Sequence, residues 1–181
     1  MEALCLDVLN SDWHDFRHPD EYEDHLLQEG WLEQLAIRWG FPISQPPDKH
    51  TLAAFQSLRT MMQQALQTLF EEHRLSEQTL AALNTYLETT PHILQLITEG
   101  EGYQLQRLPL AREWNGVLGE VVISFATLLA QNPARIKQCE NPECRWIYYD
   151  ESDNQSRRWC EDACANLMRV RRFRAKQRKR A

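Results

Sequence analysis

Residues 139–164 read Cys139-Glu-Asn-Pro-Glu-Cys144-Arg-Trp-Ile-Tyr-Tyr-Asp150-Glu-Ser152-Asp-Asn154-Gln-Ser156-Arg157-Arg158-Trp159-Cys160-Glu-Asp-Ala-Cys164. Four of the five cysteines of the 181-residue chain fall here, spaced C-x4-C, then fifteen residues, then C-x3-C. A disulfide framework belongs to an oxidising compartment. The opening residues, Met1-Glu2-Ala3-Leu4-Cys5, carry neither the basic segment nor the apolar run of a signal peptide. The expectation is therefore a cytoplasmic protein with one structural zinc held by Cys139, Cys144, Cys160 and Cys164. Four thiolates close a tetrahedral shell and leave no open position for chemistry. Cys5 stands apart from the set.

The residues around the ligands suggest how they are held. Two β-prone stretches, 145–150 and 155–159, flank a polar turn and read as a small hairpin. Glu161 and Asp162 favour a helix N-terminus. The helix should run on through the tail, which lacks glycine and proline. Leu167, Val170 and Phe173 form an apolar edge, expected to rest on the zinc site or on the rest of the chain.

Charge divides at the same place. Residues 1–138 carry 9 Lys/Arg and 19 Asp/Glu, a net −10, whereas 139–181 carry 11 and 7, a net +4. Residues 165–181 hold eight basic side chains and no acid. Compensating a four-thiolate zinc centre of formal charge about −2 needs two or three of these, not eight. A basic helix fixed by zinc fits the major groove of duplex DNA. The candidate contacts are Arg157, Arg158, Arg169, Arg171, Arg172, Arg174 and Lys176. Charge alone leaves RNA open.

Upstream, the pattern is mainly helical, and 43% apolar residues suffice for a core. Leu27, Trp31, Leu35 and Trp39 recur at helical spacing within 24–40. Asp48 is placed to cap a helix with the stripe Phe55, Leu58, Met62, Ala65, Leu66, Leu69. Ser76 is placed to cap another bearing Leu80, Leu83 and Leu87. Pro91 opens a short helix through about 98. Gly100 and Gly102 then break the run, and Tyr103, Leu105 and Leu108 suggest a short strand or hairpin arm. A last helix over 111–130 turns Trp114, Val117, Val121, Phe125 and Leu128 inward. The fold expected is mainly α: a helical domain, 1–133, and a four-cysteine finger with a basic helix, 134–181.

Catalytic motifs are missing: there is no G-x-S-x-G, glycine-rich phosphate loop or H-E-x-x-H. Asp12, His14, Asp15 and His18 cluster only in sequence, and the expectation is a protein that is not an enzyme. No apolar run reaches the ~18–20 residues that span a bilayer.

The cysteine segment, continued through Cys164-Ala165-Asn166, resembles the CGNR zinc finger. Cys164 and Asn166 match the signature, while Ala165 stands for its glycine and Leu167 for its arginine. Arg169, Arg171 and Arg172 lie nearby to serve that role. Leu4-Cys5-Leu6-Asp7-Val8-Leu9-Asn10, with Ser11 following, is similar to the L-C-L-D-F-x-N-T opening of the ABATE domain. The resemblance implies a bacterial, stress-responsive transcription regulator with a mostly helical sensing domain. Asp7 and Asn10 could bond a neighbouring loop or line a pocket for a small-molecule effector. A homodimer is compatible with such a regulator. The rival reading is a zinc–thiolate redox switch in which oxidation releases the metal and melts the tail.

Overall fold

The computed structural model describes residues 2–15, 17, 21–111 and 113–178. Helices α1 (Leu4–Leu9), α2 (Trp31–Arg38), α3 (Lys49–Glu72), α4 (Glu77–Thr89) and α5 (Glu113–Gln131) build the body, and α6 (Asp162–Arg178) is the last described element. Three antiparallel ribbons punctuate them: β1 (Asp12–His14) with β2 (Tyr22–Asp24), β3 (His92–Glu99) with β4 (Gly102–Pro109), and β5 (Ile136–Gln138) with β6 (Ile147–Tyr149). The fold class read from the sequence stands.

At the centre lies α5, with α1, α3 and α4 against it. Val117, Val121, Val122, Phe125 and Leu128 bury its inner faces, as expected of a helix surrounded by others. Gly119 lets it pass α4 closely, because a Cβ there would lie 2.6 Å from Thr90 Cβ. The expected stripe of α3 is buried throughout. Asp48 accepts from the Thr51 amide at 2.7 Å and Ser76 from that of Thr79 at 3.1 Å, so both caps form as the sequence suggests. The six-residue α1 is too short to persist alone. Leu4, Cys5, Val8 and Leu9 hold it in the core.

Three expectations need correction. Segment 91–98 is not helical: His92–Glu99 is strand β3, paired along its whole length with β4. Its Ile-Leu-Gln-Leu-Ile run is short and apolar, a pattern that periodicity alone does not assign, and the tight turn at Gly100 (φ 59) lets it fold back. In 24–40, Asp24 closes β2, and Gly30 at φ 80 resets the chain before α2. Leu26 rather than Leu27 is therefore buried. Finally, 155–159 is not a strand, and the partner of β6 is β5, in the stretch expected to be a linker.

One buried ion pair was not foreseen. Arg59 on α3 donates to both carboxylate oxygens of Asp24 at 2.7 and 2.6 Å, and to Ser11 Oγ at 2.9 Å. This bidentate grip is the strong form of an ion pair, and it holds the Asp24 carboxyl below its ordinary range. The signal was present: Arg59 falls on the stripe between Phe55 and Met62.

Candidate metal centre and nucleic-acid interface

The β5–β6 ribbon positions the first two cysteines. The Cys139 amide donates to Trp146 O at 2.8 Å, closing the loop that carries Cys139 and Cys144. Arg145 takes a left-handed φ of 56 directly after Cys144. Cys160 lies just before α6 and Cys164 in its first turn. All four Sγ atoms lie within 4.8 Å of one another. Cys144 and Cys160 are 3.5 Å apart and Cys160 and Cys164 3.8 Å. A tetrahedron with metal–sulfur bonds of about 2.3 Å has edges of about 3.8 Å, whereas a disulfide would bring sulfurs to about 2.05 Å. The geometry fits zinc.

The electrostatics agree. The thiol of Cys160 beside Cys144 lowers the latter to about 6. Cys160 itself is pushed far upward, first by that hydrogen bond and then by burial. Burial raises Cys164 to about 12. One thiolate thus opposes the next, and a dication is what lets all four ionise. Asn141, fully buried, directs Nδ2 to Cys164 Sγ at 3.5 Å. Cys5 is remote in the body core, where burial pushes its thiol up to about 11.

Below the cluster, Asp150 organises the finger. Its carboxylate is fully buried and accepts from Lys137 Nζ at 2.6 Å, Ser152 Oγ at 2.5 Å, and the amides of Ser152 and Arg157 at 3.0 Å each. Burial works against ionisation, but these donors prevail and hold the carboxyl well below the usual range. Lys137 also donates to the carbonyls of Gln155 and Arg157, and Tyr148 Oη donates to Arg157 O at 2.8 Å. Side chains thereby take the carbonyls that a strand ladder would have used. With Gln155 at φ 52, this explains why 155–159 is not extended. Asp150-Glu-Ser152 is an Asx-turn pattern, the sequence signal that could have found it.

A family model described as "Putative stress-induced transcription regulator", that of the ABATE domain, matches residues 2–132, and one described as "CGNR zinc finger" matches residues 135–177. The chain belongs to the ABATE family. No curated protein matches it. In this ABATE protein the four-cysteine finger is a structural zinc site.

The finger is joined to the ABATE body through Asn10, whose carboxamide donates to Ile147 O and accepts from Ile147 N, both at 2.8 Å. Ile136, Ile147 and Tyr149 complete the body's apolar core. Asn10 thus bonds a neighbouring segment. Asp7 accepts from Trp39 Nε1 at 2.8 Å and lies 3.5 Å from Arg38. Both residues also line a cleft of about 390 Å³ with His25, Trp31, Arg38 and Trp146. Asn10→Ala leaves the buried N–H and C=O of Ile147 without their partner. The expected cost is about 1–3 kcal/mol, read as a lower midpoint in denaturant titration.

The basic residues divide into two groups. Arg157 donates to the carbonyls of Trp159 and Cys160 and lies over the Tyr148 ring. Arg158 pairs with Glu140, and Arg171 with Glu143 at 2.6 Å. These three brace the cysteine loops. Arg172 stacks over Trp159 yet is exposed, Arg169 reaches Asn166, and Arg174, Lys176 and Arg178 are exposed with no acid in ion-pair reach among the described residues. Val170 and Phe173 are exposed too, so the apolar edge expected to pack is covered only near Leu167. Asp12 and His14 face each other at 3.5 Å in β1. His18 lies outside the described residues. No helix among them is long and apolar enough to cross a membrane.

Proposed function

We propose that this protein is a non-enzymatic transcription regulator that binds duplex DNA through α6, with the zinc cluster fixing the helix on the body. The carrying observation is the basic stretch of α6: Arg169, Arg172, Arg174, Lys176 and Arg178 are exposed, the last three beyond the turn that meets the finger through Arg171 and Arg172. Seventeen residues give a rod of about 25 Å, a length that fits across the major groove. Arg157, Arg158 and Arg171 serve the interface indirectly, by holding the loops that aim the helix. The body serves as the sensing part. A small molecule or partner that disturbed the Asn10–Ile147 clamp would act on the finger directly.

The test is binding of zinc-loaded protein to random and selected duplexes across a salt series. Each phosphate contact contributes about −0.9 to the slope of log K against log salt. Replacing Arg174 and Lys176 with Ala should flatten that slope by about two units and weaken binding to all sequences alike. Absence of salt-sensitive binding would reduce α6 to a solvated charge run. Tighter binding to structured RNA would replace the DNA reading.

A further inference from the structure

We propose that the β3–β4 ribbon is a dimerisation arm whose apolar face packs on the same face of a second copy of this chain. A two-stranded ribbon alone is marginal in water, yet this one runs eight residues per strand and meets the body mainly at its base. Its register puts Leu94, Leu96, Thr98, Tyr103, Leu105 and Arg107 on one face. Leu94, Leu96, Tyr103 and Leu105 are 67, 65, 77 and 62% exposed. Four adjacent large apolar side chains left this open mark an interface rather than scattered surface residues.

Charge identifies the partner. A two-fold contact sets a surface against itself, so a charged face repels its own copy. In a chain one-quarter charged, residues 89–98 and 102–106 contain no Asp, Glu, Lys or Arg. The charges stand at the two ends instead: Glu99 and Glu101 at the tip, and Arg107 at the base, where it meets Glu120 at 3.2 Å beside His92. Two arms crossing antiparallel bring each acidic tip to the other's Arg107, half-exposed beside Glu120, with the Leu96–Leu105 pairs at the centre. At about 3.4 Å per residue the face is some 27 Å long, at the small end of specific interfaces. A dimer in the micromolar range is the expectation.

Sedimentation velocity of the full zinc-loaded chain from about 1 to 100 μM, without nucleic acid, tests this independently of the DNA reading. The wild type should dimerise. Leu96→Glu and Leu105→Glu should each weaken association by about 100-fold or more with unchanged circular dichroism. Mixing Leu96→Glu with Leu96→Lys should restore a heterodimer. Tyr103→Glu, nearer the tip, gives the same readout should a central variant fail to fold. A wild type monomeric throughout, a dimer indifferent to these substitutions, or a mixture that stays monomeric overturns the proposal.

Discussion

Stripping the metal with a chelator unfolds the cysteine loops and α6 while the helical body keeps its cooperative melt. For so small a module the metal's binding energy, about 10–16 kcal/mol for comparable zinc sites, is its folding energy. Apart from the arginine contacts to Glu140, Glu143 and the backbone near Cys160, the apolar cluster there is small: Cys139, Cys144 and Cys164 with Trp159 and Cys160 against them. Cys160→Ser should lower zinc affinity by orders of magnitude, whereas Cys5→Ser should leave it unchanged. Metal analysis gives the stoichiometry, one per chain, and circular dichroism gives the loss of α6. A protein purified without zinc, or Cys160→Ser holding it undiminished, would remove the metal from the account.

The second large effect is at Asp150. Replacing it with Ala leaves the Lys137 ammonium and three further donors facing a cavity. Breaking a buried pair costs about 3–5 kcal/mol, and a Lys137 side chain 25% exposed places the effect near the lower end. The sign with pH follows from the direction of the shift. A carboxyl held below its unfolded value contributes fully above that value and loses the contribution as pH falls from there towards and through the lower folded value, starting near about pH 5. Asp150→Asn keeps the shape but not the charge. Its stability should therefore fall less steeply than wild type between about pH 5 and 3 in denaturant titrations. Parallel curves would show that Asp150 carries no such linkage.

What was legible in the sequence was local. Cysteine spacing identifies a zinc shell because the ligands' separations are set by a few residues of chain. The stripes of α3 and α5 repeat one helical period many times, and the capping residues act within three positions. Three kinds of feature escaped. The strand β3 is a run too short for its period to show. Arg157, Arg158 and Arg171 also bond the backbone near Cys160, Glu140 and Glu143, pairings across the finger that net charge does not show. The clamp from Asn10 to Ile147 joins residues 137 positions apart, and no local pattern announces it.

That clamp sets the order in which the chain becomes complete. Helix α1 is made before the other described elements, yet its inward surface is finished by β6, and the two residues of the clamp lie 137 positions apart. At about 5–20 residues per second this is a wait of roughly 7–27 seconds. Throughout that interval Leu4, Val8 and Leu9 lack part of their final neighbours, exposed to chaperones and to other nascent chains. The body therefore reaches its final form only once β6 has emerged, and synthesis halted before residue 147 leaves an unfinished hydrophobic seam.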